Sequence, residues 1–113
     1  MRMSGGTFTI PAGHPALPGH FPGRPVVPGV VLLDHVVGLI AAGLPDGAGL
    51  RFARFGRVKF QAPVLPDQPV AVRVEPGRAP PDGRTFSFTC LTGDRTVATG
   101  TAEFLAAGTD PAP

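Results

Sequence analysis

An antiparallel sheet wrapped around one long central helix, an α+β fold, is predicted by three features of the sequence. One stretch, residues 28–42, is apolar enough to be a buried helix. The segments after it alternate apolar and polar residues with a period of two, as strands do. Turn-forming Pro and Gly residues, 15 and 16 in number, separate these segments, concentrating at 11–28 and 76–83. At 113 residues the chain is read as one domain, 1–113, with residues 1–6 and 108–113 frayed at its ends.

The elements follow in order. Residues 7–10 are a short strand that Pro11 ends. A Pro/Gly-rich loop over 11–28 carries His14 and His20, and structureless loops of that length are usually functional. Pro28 suits a helix start, and Gly43 and Pro45 stop the helix. Val30, Val31, Leu32, Leu33, Val36, Val37, Leu39 and Ile40 make that helix apolar nearly all round, so burial on most sides is expected. Residues 50–62 are one bent strand or two short ones. Val70, Val72 and Val74, then Phe86, Phe88 and Cys90, mark two further strands, and 95–105 closes the set. Turns are expected at 80–83 and 92–94.

Composition excludes several function classes. A net charge of +2 is too weak to argue nucleic-acid binding, although Arg51, Arg54, Arg57, Lys59 and Arg73 could form a local basic face for an acidic partner, or simply a solvated strand face. The single cysteine, Cys90, cannot build a disulfide framework, and its alternation with Phe86 and Phe88 places it in the core. No apolar run reaches membrane-spanning length and no signal-peptide core opens the chain, so a cytoplasmic location without membrane attachment is expected. The three histidines and the acids lack metal-ligand spacing, so no metal is expected. Neither Ser4 nor Ser87 lies in a nucleophile elbow.

The chemistry concentrates in His20-Phe21-Pro22-Gly23-Arg24-Pro25-Val26-Val27-Pro28-Gly29-Val30-Val31-Leu32-Leu33-Asp34. Its prolines stiffen the approach to the helix, so His20 can be held at a fixed place. Gly29 lies in the first helical turn, where N–H groups lack internal partners and could polarise a carbonyl oxygen. Asp34 is the only carboxylate of the helix. Burial there would favour its protonated form, which suits a general acid, while an imidazole titrating near neutrality suits a general base. A base, an acid and an oxyanion site fit proton abstraction α to a carbonyl with loss of a β-hydroxyl. His14 is expected to be solvated. His35, about 100° around the helix from Asp34, is expected to be a packing or dimer-face residue.

This stretch resembles the signature of the 3-hydroxyacyl-[acyl-carrier-protein] dehydratases of fatty acid synthesis: His-Phe-Pro, a spacer, Pro-Gly, then Asp or Glu fourteen residues after the His. Residues 57–67 are similar, more weakly, to the family's phrase of Lys-Phe, Pro-Val and Pro-Gly-Asp. The resemblance implies a hot-dog fold and the dehydration of a 3-hydroxyacyl thioester to the trans-2-enoyl thioester. It implies His20 as base or proton shuttle, Asp34 as the acid that assists departure of the hydroxyl, and the Gly29 amide as the holder of the thioester carbonyl. Phe21, Val30 and Phe60 are candidates for the acyl pocket. The substrate would be carried by an acyl carrier protein, no cofactor would be needed, and the His and the acid would come from opposite subunits of a homodimer or larger assembly. Asp in place of Glu is similar to the subgroup holding the dehydratase/isomerases and short dehydratase-like proteins of polyene-type pathways; the short chain argues against isomerisation. Two positions depart from the family: His35 stands where Ala is common, and Gly38 where Gln is. The alternatives on the same fold are a thioesterase and a non-catalytic acyl-thioester-binding subunit.

Overall fold

The computed structural model describes residues 5–13, 26–45, 48–77 and 83–106. Strand β1 spans Gly6–Phe8, helix α1 Gly29–Gly43, and strands β2 to β5 span Leu50–Phe60, Val70–Pro76, Gly83–Thr92 and Arg95–Ala106. All neighbours pair antiparallel in the order β1-β3-β4-β5-β2. The sheet packs one face on α1, so the expected helix-and-sheet architecture is present. The turn expected at 80–83 falls mostly outside the described residues. The turn at 92–94 is a two-residue link, with Thr92 paired to Arg95 and Gly93 at φ 60, a left-handed conformation that glycine adopts without strain.

Period-two alternation explains the core directly. Val70, Val72 and Val74 of β3 and Phe86, Phe88 and Cys90 of β4 all turn to the helix and are buried, while Ala71, Arg73, Glu75 and Ser87 face away. Cross-strand partners share a face, which joins Val74, Phe88 and Gly100 in one row and Val72, Cys90, Ala98 and Phe60 in the next. Phe86 meets Phe104 edge-on at 5.8 Å and Phe55 meets Phe88 at 6.1 Å. Burying a side chain of this size contributes roughly 1.5–3 kcal/mol. Cys90 is fully buried, and desolvation pushes its thiol up to about 11, so it packs as an apolar group rather than reacting.

Strand β2 breaks the simple alternation, and the break decides what lies near the helix start. It is one strand with two register shifts against β5, at Phe52/Arg54 and Gly56/Lys59, each inserting one extra residue. The apolar residues Phe52, Phe55, Val58 and Phe60 are spaced three, three and two apart, which a flat strand would scatter over both faces. The bulges restore them to the helix side: Phe52 pairs with buried Phe104, Phe55 with buried Ala102 and Phe60 with buried Ala98. Arg57 takes the second bulge at φ 53, and the hydroxyl of Thr101 donates to the Gly56 carbonyl at 2.9 Å. A left-handed conformation disfavours residues with a Cβ. Arg57→Gly is therefore expected to raise stability by roughly 0.5–1 kcal/mol, part of the relieved strain being offset by the freer unfolded chain. The midpoint of urea unfolding checks this; an unchanged or lower midpoint would show that the bulge is not strained.

The helix departs from expectation in two respects. It begins and ends one residue later than 28–42, with Pro28 as its N-cap in extended conformation. More importantly, it is not buried on most sides. Val31, Leu32, Val36 and Ile40 form the buried stripe, whereas Val30, Asp34, Gly38, Ala41 and Ala42 are exposed. The sheet lies along one side of the helix, and within the chain nothing described covers the opposite side. No described helix is long and apolar enough to cross a membrane.

Candidate active site

Two segments meet at the N-terminal mouth of α1. The residues leading into the helix, Val26 to Pro28, lie beside the segment that leaves β2, and the Val27 N–H donates to the Val64 carbonyl at 2.8 Å. The N–H groups of Gln61 and Ala62 both donate to the Val97 carbonyl, at 2.8 and 3.3 Å, anchoring that segment to β5. Between them opens a pocket of about 410 Å³ lined by Val26 to Gly29, Leu32 and Phe60 to Val64. That volume lies within the usual range for small-ligand sites, and the lining is mainly apolar.

Gly29 stands on the wall of this pocket, at the first helical position, as the sequence predicts. Helical N–H groups of the first turn have no intrahelical acceptor, and the dipole there favours negative charge. Phe60 presses its ring against the same residue: a Cβ built on Gly29 would lie 2.6 Å from the Phe60 Cζ. Phe60 thus lines the pocket with Gly29. His20, Phe21 and His14 lie outside the described residues.

Asp34 and Val30 lie away from this pocket of their own chain. Val30 does not line the pocket; its side chain points to solvent and is 76% exposed. The Asp34 carboxylate, expected to be buried among apolar neighbours, is exposed as well. The reason is helical geometry: five residues separate Asp34 from Gly29, which amounts to about 7.5 Å along the axis and about 140° around it. The sheet side buries Leu32 and Val36, so Asp34 falls in the middle of the open stripe. One chain therefore brings Gly29, Phe60 and the pocket together but turns Asp34 away from them. His35 is a packing residue. Its ring stacks on Phe8 with centroids 4.7 Å apart, and its Nδ1 donates to the Val31 carbonyl at 3.0 Å, tying α1 to β1. Among the described residues no three His, Cys, Asp or Glu side chains gather as metal ligands.

Sequence reasoning missed most of the pocket wall: Val26, Val27, Leu32, Gln61, Ala62, Pro63 and Val64. Their meeting depends on the hydrogen bond from Val27 to Val64, which has no local sequence signal. The Pro63-Val64 pair in the weaker family phrase was the available hint.

A sheet wrapped on one helix, with a pocket at the helix mouth, places the protein in the hot-dog class. Solved structures of low identity share that fold. The dehydratase heterocomplex ApeI:P of Xenorhabdus doucetiae matches at 24% identity and TM-score 0.67, covering 88% of this chain and 83% of the other. An (R)-hydratase of A. caviae involved in PHA biosynthesis matches at 22% identity and TM-score 0.71, covering 92% and 97%. The chain belongs to the ApeI-like family, described as ApeI dehydratase, whose pattern matches residues 4–101. Among curated relatives, the 3-hydroxyacyl-[acyl-carrier-protein] dehydratase FabZ of Pelotomaculum thermopropionicum is 37% identical over 79 residues, 66% of this chain and 56% of that protein. The chain spans about half the length of the curated relatives it matches.

Proposed function

We propose that the protein is a dehydratase converting a 3-hydroxyacyl thioester to the trans-2-enoyl thioester in a site shared by two copies of the chain. One observation carries this reading: α1 shows Gly29 to a pocket of its own chain and Asp34 to open space on its other side. In this reading Asp34 serves the pocket of a second copy. Family membership and the spacing of His20, Gly29 and Asp34 support the same arrangement. The exposed apolar Val30, one turn before Asp34, gives the open stripe a reason to be covered.

In this reading the acyl group lies in the pocket with its carbonyl oxygen on the Gly29 N–H. The imidazole of His20 takes the proton from C2, and charge develops on the oxygen that the amide and helix dipole stabilise. The carboxylic acid of Asp34 from the partner subunit protonates the 3-hydroxyl, which leaves as water while the C2–C3 double bond forms. The proton gained by the imidazole replaces the one lost by the carboxyl group, so the pair is reset. The elimination is redox-neutral and uses no cofactor. We take the acyl group to be carried by an acyl carrier protein in the cytoplasm; exposed Arg51, Arg57 and Lys59 on β2 suit an acidic partner.

The test is incubation with 3-hydroxyacyl thioesters of several chain lengths on both carrier protein and coenzyme A. Loss of one water by mass with appearance of the conjugated enoyl absorbance is expected. Release of free thiol would instead make the protein a thioesterase, and tight binding without turnover would make it an acyl-binding subunit.

A further inference from the structure

Phe60 stands apart from the rest of the pocket wall. The walls on either side are fixed by backbone hydrogen bonds from Val27 to Val64 and from Gln61 and Ala62 to Val97. Leu32 is buried in the core. Phe60, by contrast, is a large apolar side chain that is 54% exposed at the rim. The bulge at Arg57 exists to place it there: without the extra residue, the alternation of β2 would turn Phe60 to the outer face of the sheet. Its ring meets Gly29 tip-first, since a Cβ on Gly29 would lie 2.6, 3.0 and 3.1 Å from Cζ, Cε1 and Cε2. The ring therefore occupies the volume beside the Gly29 Cα, one bond from the amide nitrogen that holds the carbonyl in the reading above.

Resting on that reading, we propose that Phe60 is a specificity-determining residue that excludes acyl groups substituted at C2. An oxygen accepting the Gly29 N–H at about 2.9 Å brings the carbonyl carbon within one further bond. The ring tip then neighbours the two substituents of that carbon. One is the thioester sulfur, which every substrate shares; the other is C2, where substrates differ. A methyl group on C2 needs space that the ring fills. It would either displace C2 from the base or push the ring off Gly29, so discrimination should appear in both kcat and KM.

The experiment compares the full chain with Phe60→Ala and Phe60→Leu on 3-hydroxybutyryl and 2-methyl-3-hydroxybutyryl thioesters. The native chain is expected to favour the unbranched substrate by about tenfold or more in kcat/KM, with Phe60→Ala narrowing the ratio to about threefold and Phe60→Leu lying between. A ratio unchanged in both variants overturns the proposal. The same three proteins are titrated with non-reactive amide analogues of crotonyl- and 2-methylcrotonyl-pantetheine. If the native chain dehydrates neither substrate, the dehydratase reading fails, and the binding ratios still decide Phe60: a ratio unmoved by truncation overturns its role. Binding of neither analogue overturns both. Should Phe60→Ala lose its cooperative unfolding transition, Phe60→Leu alone decides.

Discussion

Replacing Asp34 by Asn is expected to lower kcat by at least about a hundredfold, the usual scale for removing a positioned proton donor. The folded chain should be little affected, because the carboxylate is exposed within the protomer and no described hydrogen bond is lost. Mixing distinguishes a shared site from one within a chain. His20→Ala and Asp34→Asn chains, each inactive alone, are unfolded and refolded together. In a mixed dimer one site would join the intact His20 of one chain to the intact Asp34 of the other. Random pairing would then restore about a quarter of native activity, since half of the dimers are mixed and each has one whole site. No recovery would place both groups within one chain and remove the shared-site mechanism.

Val30→Asp is expected to dissociate the proposed dimer and abolish turnover together. Val30 lies one turn before Asp34 on the open stripe of α1, and its apolar side chain is 76% exposed in the single chain. A charge buried there against a second copy, without a partner, should weaken association by several kcal/mol, roughly a hundredfold or more in Kd. Sedimentation velocity at micromolar concentration would show the monomer, with native far-ultraviolet circular dichroism. A variant that stays dimeric and active would mean that subunits meet elsewhere. Because the substitution lies outside the pocket, loss of activity that tracks loss of the dimer ties catalysis to assembly.

The elements themselves were legible because their signals are local. Val70, Val72 and Val74 alternate with polar neighbours, Pro28 and Pro45 bracket an apolar run, and Gly93 with Asp94 marks a tight turn. His20, Gly29 and Asp34 stood out as well, through residue type and spacing along a short stretch. Other features were not legible, because they depend on which surfaces meet. The two bulges of β2 answer to the register of β5, far along the chain, and they decide that Phe60 faces the helix. The pocket walls depend on Val27 finding Val64.

The direction of Asp34 is the sharpest case. An apolar helix implies burial on most sides, yet the sequence alone does not say whether the covering surface belongs to the same chain. Local chemistry determined the secondary structure and marked out the candidate groups, since propensity, alternation and spacing act over a few residues. Tertiary packing alone decided that the sheet takes one side of the helix and leaves the Asp34 side open, because a single five-stranded sheet can cover only one face of a cylinder.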